Sequence, residues 1–125
     1  MKRDLDLMRH IMLAVEADTE PWHSEYVKKY PREIVPAHVE LLIDQGFLEG
    51  QIHYTAVRSG KKEADSYHIT RITNAGYDFL DASRNPAIWK RTLDFVKEKG
   101  GSFALDIVVE LLKQTARHTL GLGAG

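Results

Sequence analysis

The chain predicts an α+β fold: a winged helix, meaning a helix-turn-helix with a β-hairpin wing, followed by two C-terminal helices. Three observations predict it. Pro36 to Gly46 is a short amphipathic stretch closed by a glycine. Residues 47–57 and 66–73 alternate apolar and polar side chains on either side of a polar loop, Arg58 to Asp65, as the strands of a hairpin do. Asn74 to Leu80 then opens a helix directly from the return strand. The expected organisation is one structural domain, with a winged-helix core over 1–85, a helical extension over 86–120 packed on it, and a flexible tail over 121–125.

With 125 residues, 43% hydrophobic and 28% charged, the chain has the size and composition of one globular domain with its own core. It has no cysteine, which excludes disulfides and thiolate metal sites and fits a reducing compartment, so a cytoplasmic location is expected. The first eight residues place acids inside their apolar run and show no signal-peptide cleavage pattern. No uncharged run approaches the ~20 residues of a membrane span. The net charge is −1, from 17 basic and 18 acidic residues. A dedicated nucleic-acid binder shows a basic surplus, because phosphate neutralisation dominates its affinity.

Helical spacing over Asp4 to Ala17 predicts the first helix, with Leu5, Met8, Met12 and Val15 on one face and Leu7, Ile11 and Ala14 widening it. Asp4 and Asp6 suit the positive end of its dipole. Asp18 to Pro21 stops it, and Trp22 to Val27 alternates as a short strand. Pro31 to Val35 forms one turn, and Pro36 begins the next helix because a first-turn position needs no amide donor. Val39, Leu42 and Ile43 face inward there, with Leu41 at the seam. In the hairpin, Ile52, Tyr54 and Ala56 alternate on the outgoing strand, and Tyr67, Ile69 and Arg71 oppose His68, Thr70 and Ile72 on the return. Thr73 caps a helix that buries Tyr77, Phe79 and Leu80. Asn85 and Pro86 start another, with Trp89, Leu93 and Val96 inward, to about Lys99. Gly100 and Gly101 break it, and Ser102 caps a last helix to about Leu120.

Chemical motifs are absent. Six histidines, at 10, 23, 38, 53, 68 and 118, never take the i, i+3 or i, i+4 spacing that puts two metal ligands on one helix face. Asp78 and Asp81 stand one helical turn apart, a spacing that suits either a cation or a solvated face with Arg84 as ion-pair partner. There is no phosphate-cradling glycine loop and no nucleophile elbow. No enzyme, cofactor or small-molecule ligand is expected.

Residues 1–8, the segment Ala37 to Leu42 with Gly46-Phe-Leu-Glu49, Ile72 to Arg84 and Lys99-Gly-Gly-Ser102 resemble a family of hypothetical bacterial and prophage proteins, a domain of unknown function. That pattern carries an aromatic or basic residue where Asn74 stands and a histidine where Tyr77 stands, so no role of such a histidine carries over. The resemblance implies a winged-helix-like domain in a phage-related context. It implies no activity and no site residues.

Two functions follow from the fold expectation. A DNA-binding regulator would lay the helix after Pro36 in the major groove. Lys28, Lys29 and Arg32 before that helix, and Arg58, Lys61 and Lys62 in the wing, would meet phosphate, while His38 and Gln45 would face the bases of double-stranded DNA. Against this, that helix carries Glu40 and Asp44 and no cation. The alternative is a protein-interaction module. In the last helix Ile107, Val108, Val109, Leu111 and Leu112 occupy more than one stripe, so that helix is either central to the core or shared with a second copy through Val108, Leu111 and Leu112.

Overall fold

The computed structural model describes residues 2–18, 20–21, 25–56, 60–100 and 105–120, the side chains of 116, 119 and 120 excepted. Its class is α+β, with five α-helices and one two-stranded antiparallel sheet among the described residues. In chain order these are α1 (Leu5–Glu16), a 3₁₀ turn (Val27–Lys29), α2 (Ile34–Asp44), β1 (Leu48–Ala56), β2 (Lys62–Ile72), α3 (Asn74–Ser83), α4 (Pro86–Glu98) and α5 (Leu105–Leu120). The chain divides into two compact units, Met1–Tyr77 and Asp78–Gly125.

In the first unit, the Asp4 side chain caps α1 by accepting from the Leu7 amide at 3.0 Å. The buried stripe is Leu7, Met8, Ile11, Met12 and Ala14, so the helix is turned from the expected face and leaves Leu5 and Val15 half-buried. Asp18 ends the helix in the left-handed region, at φ 57°, with its amide donating to the Val15 carbonyl at 3.0 Å. The strand expected over 22–27 is not formed where it can be seen. Glu25 and Tyr26 lie in a turn, Val27–Lys29 is 3₁₀, and residues 22–24 lie outside the described residues.

The Pro31 carbonyl accepts from the Ile34 amide at 3.0 Å, and α2 begins there, two residues before Pro36. Proline is tolerated because the first-turn amides have no intrahelical acceptor. Val35, His38, Val39 and Leu42 are buried along α2, with Leu41 and Ile43 at the margin. Gly46, at φ 85°, closes the helix. The Phe47 amide reaches the Leu42 carbonyl and the Gly46 amide the Ile43 carbonyl, each at 2.9 Å, and Phe47 is buried. This is the paired-bond glycine stop expected from the sequence.

The return strand starts at Lys62, four residues earlier than expected, so the charged run Lys62 to Asp65 is strand rather than loop. Two bulges sort its side chains. Glu49 pairs with Arg71 and Gly50 with Ile69, which leaves Thr70 unpaired. His53 pairs with Ser66 and Tyr54 with Ala64, which leaves Asp65 unpaired. Unbroken alternation would set Ile72 against Ile69 and Tyr67, and would group Arg71, Asp65 and Glu63 with those two. The bulges instead gather Ile72, Ile69, Tyr67, Ala64 and Lys62 opposite Leu48, Gly50, Ile52, Tyr54 and Ala56. Burial fades along that face from Leu48 and Ile72 to Ala56 and Lys62 at the tip. Arg71 moves to the other side, where its guanidinium grips Glu49 through Nε–Oε2 at 2.8 Å and Nη2–Oε1 at 2.6 Å.

Thr73 fastens the corner after β2. Its hydroxyl donates to the Gly46 carbonyl and accepts from the Gly76 amide at 3.0 Å, which caps α3. A Cβ on Gly76 would stand 2.2 Å from the Phe47 carbonyl oxygen, so this glycine admits the chain's own backbone. Tyr77 is 45% exposed, against the expectation that it is core.

In the second unit, Phe79 and Leu80 are buried, and Phe79 meets Trp89 edge to face with centroids 6.0 Å apart. Asn85 caps α4 by accepting from the Ala87 and Ile88 amides, with Pro86 in the first turn. Ile88, Trp89, Thr92 and Val96 form its buried face, whereas Leu93 is only half-buried. The buried hydroxyls of Ser83 and Thr92 donate to the Leu80 and Ile88 carbonyls. Packing against α4, α5 buries Leu105, Val108 and Leu112. Ser102 and the tail lie outside the described residues.

Candidate interaction site on α2 and the hairpin

The outward row of α2 carries Glu33 at its N-cap, then Ala37, Glu40 and Asp44, spaced to share one side of the helix. The hairpin lies across this row. Tyr54, on the inner face of β1, donates its hydroxyl to Glu40. That bond, burial and the charges of Glu40 and Asp44 all hold the phenol above its ordinary pKa, the hydrogen bond most strongly. Toward the tip, Lys62 and Ala64 face Glu33, Ile34, Ala37 and Glu40 across a cleft of about 260 Å³, and Glu63 borders it from the outer-face position opposite Thr55. The cleft therefore has apolar patches at Ile34, Ala37 and Ala64, two facing carboxylates, Glu33 and Glu40, and one ammonium. Tyr54 itself is 48% exposed, the largest exposure among the big apolar side chains of the described residues.

The residues expected to contact nucleic acid divide sharply. His38 does not face outward but is fully buried. Its Nε2 accepts from the Asp4 amide and its Nδ1 lies on the Ile34 carbonyl, both at 2.9 Å. An amide can only donate and a carbonyl can only accept, so the ring is the neutral Nδ1–H tautomer. Burial pushes its pKa down, opposed by the Ile34 bond and the Asp4 charge. His38 thus joins the start of α1 to α2, and cannot reach a base edge from there. Asp4 is further tied by the Tyr30 hydroxyl at 2.7 Å.

Lys28, Lys29, Arg32, Gln45, Lys61 and Lys62 are exposed. Lys28 sits 3.5 Å from Glu25, and Lys29 lies over the Tyr26 ring at 5.8 Å, with His10 stacked on that ring at 3.7 Å. Gln45 is the C-cap of α2. Arg58 lies outside the described residues. Of the residues expected at a dimer contact, Val108 and Leu112 are buried within the chain, and only Leu111 reaches the surface in part; Ile107, on the same helix, is 45% exposed. The core alternative for Val108 and Leu112 is the one realised.

Asp78 and Asp81 are both exposed, and Asp81 accepts from Arg84 at 3.0 Å. Among the described residues no three His, Cys, Asp or Glu side chains come together as metal ligands. Among the described residues no helix is long and apolar enough to cross a membrane. A second depression, of about 400 Å³, runs between the end of α1 and β2, with Glu16, Asp18, Glu20, His68 and Arg71 among its lining residues.

Sequence reasoning missed Tyr54, Glu33 and Ala64. Tyr54 read as an ordinary inward strand residue, and the charges of 62–65 read as loop. Only the bulge beside Tyr54 sets Ala64 and Lys62 opposite α2, and no local residue pattern announces that bulge.

Comparison with known proteins places this geometry in a family without a described activity. No solved structure matches the chain. An uncharacterized protein of Haemophilus influenzae (strain ATCC 51907 / DSM 11121 / KW20 / Rd) is 29% identical over 120 residues, covering 94% of this chain and 93% of that protein. The family model described as "Hypothetical protein (DUF2513)" matches residues 2–102. The helices α1 to α4 and the hairpin thus fall within a domain of unknown function, and the chain belongs to the DUF2513 family.

Proposed function

We propose that residues 1–77 are a winged-helix-like module that works by docking a protein on the face formed by α2 and the hairpin. One observation carries this reading: the outward row of α2 is acidic and without a cation, and the hairpin is fastened across it through Tyr54 and Glu40. A helix laid in a DNA groove brings its outward residues near phosphate oxygens, and each like-charge contact costs about 1 kcal/mol even in bulk water. Here Glu33, Glu40 and Asp44 would all stand there. A protein surface carries no such uniform charge, and an exposed aromatic beside a cleft is a common anchor of protein interfaces. The reading assigns no catalytic chemistry.

A second reading, a DNA-binding regulator, draws on the exposed Lys28, Lys29, Arg32, Lys61 and Lys62, which precede α2 and tip the hairpin. One experiment separates the two. A photo-crosslinking amino acid is placed at Tyr54 in living cells, with the same probe at Asp78 as control. Docking predicts a discrete protein adduct at position 54 alone, reduced by Glu33→Gln with Glu40→Gln. A nuclease-sensitive adduct, or none, rejects docking. Binding of wild-type protein to mixed duplex DNA at low salt, weakened by Lys61→Glu with Lys62→Glu, establishes the second reading instead.

A further inference from the structure

We infer that the cleft between α2 and the hairpin tip receives a cationic side chain, arginine or lysine, presented by a protein partner. This rests on the docking reading and adds the chemistry of the occupant. Glu33 and Glu40 face the cleft against the ammonium of Lys62, and Asp44 adds a third carboxylate beside Tyr54. The field at the mouth is therefore negative, which attracts a cation and turns away phosphate or carboxylate groups. Charge alone does not select a side chain over a free ion; the shape and the apolar patches do.

The volume of about 260 Å³ is below the roughly 300–1,000 Å³ of small-molecule pockets. It is on the scale of one long side chain. Ile34, Ala37 and Ala64 give the aliphatic stem of such a chain a surface to cover, while the charged head meets Glu33 and Glu40. Arginine suits this best, since its planar fork can bond both carboxylates. Tyr54, bonded to Glu40 and half-exposed, supplies an aromatic ring next to that head. A bare metal ion fits poorly: the carboxylates do not converge as a ligand set among the described residues.

The test uses the full chain, labelled with ¹⁵N and titrated with the capped tripeptide Ala-Arg-Ala, with Ala-Lys-Ala and Ala-Leu-Ala in parallel. Both cationic peptides should shift amides within 33–40 and 62–64, the arginine peptide more strongly, and the leucine peptide should leave them in place. Glu33→Gln with Glu40→Gln should weaken binding about fivefold or more, and Lys62→Ala should tighten it about twofold, the range expected for exposed ion pairs. Unchanged spectral dispersion in the variants shows that they fold. Shifts elsewhere, equal shifts with the leucine peptide, or a Lys62→Ala variant that binds more weakly overturn the inference. A Tyr54 adduct to a protein with no response to either cationic peptide sinks the cationic occupant alone. Loss of both results sinks the docking reading as well.

Discussion

Replacing His38 with alanine tests the packing of the first unit at its most constrained point. The side chain is fully buried and spends both ring nitrogens on backbone groups of α1 and α2. Alanine leaves the Asp4 amide without its acceptor, at a cost of about 1–3 kcal/mol. It also opens a cavity where the ring stood, which adds about 1–2 kcal/mol on the scale of large-to-small core changes. The expected loss is about 3 kcal/mol, read by urea denaturation at pH 7.5. The pH dependence is the sharper part. Burial holds the folded pKa of His38 below its ordinary 6.5. Above pH 6.5 both folded and unfolded states keep the ring neutral, so the wild type retains its full advantage. As pH falls below 6.5 the unfolded chain takes up a proton that the folded chain refuses. Stability then drops by up to about 1.4 kcal/mol per pH unit until the folded pKa is reached. His10 is also held low, by burial first and then by Arg9, and contributes in the same direction. The difference between wild type and His38→Ala isolates the one ring: the gap should narrow steadily as pH falls below 6.5. A gap that is constant from pH 7.5 to 5, or a loss under 1 kcal/mol at pH 7.5, refutes the buried neutral tautomer.

Two backbone positions give further checks. A Cβ at Gly50 would stand 2.3 Å from the His68 carbonyl oxygen and 3.0 Å from the Ile69 Cα, neither of which can swing aside. Gly50→Ala should therefore cost about 1–3 kcal/mol and speed amide exchange in β1 and β2 while leaving α4 unchanged. Equal exchange throughout would contradict the close approach. Asp18 holds a left-handed conformation that glycine adopts freely, so Asp18→Gly should raise stability by up to about 1 kcal/mol, seen as a higher thermal midpoint; a fall would refute it.

Much of the local structure was legible because its signals are short-range. Gly46 with Phe47, Thr73, and Asn85 with Pro86 each stop or start a helix through bonds within a few residues, and the structure shows those bonds. What the sequence concealed depends on contacts between distant segments. His38 has a polar side chain and reads, like Glu40 and Asp44, as an outward residue of its helix; it is buried because Asp4, 34 positions away, brings it an amide. Val108 and Leu112 read equally well as core or as a shared surface, and the presence of α4 decides between them. The candidate site was the least legible, since it depends on a register irregularity at His53 and Tyr54 rather than on any motif.

That irregularity bears on how the family can vary. The return strand has 11 residues against 9 in its partner, the surplus being Thr70 and Asp65. These are the two places where β2 can shed a residue and leave every other side chain on its present side. A deletion elsewhere in the strand would transpose all that follows, sending Ala64 outward and turning carboxylates toward the helix beneath. Shortened relatives should therefore have lost their residues at one of these two points.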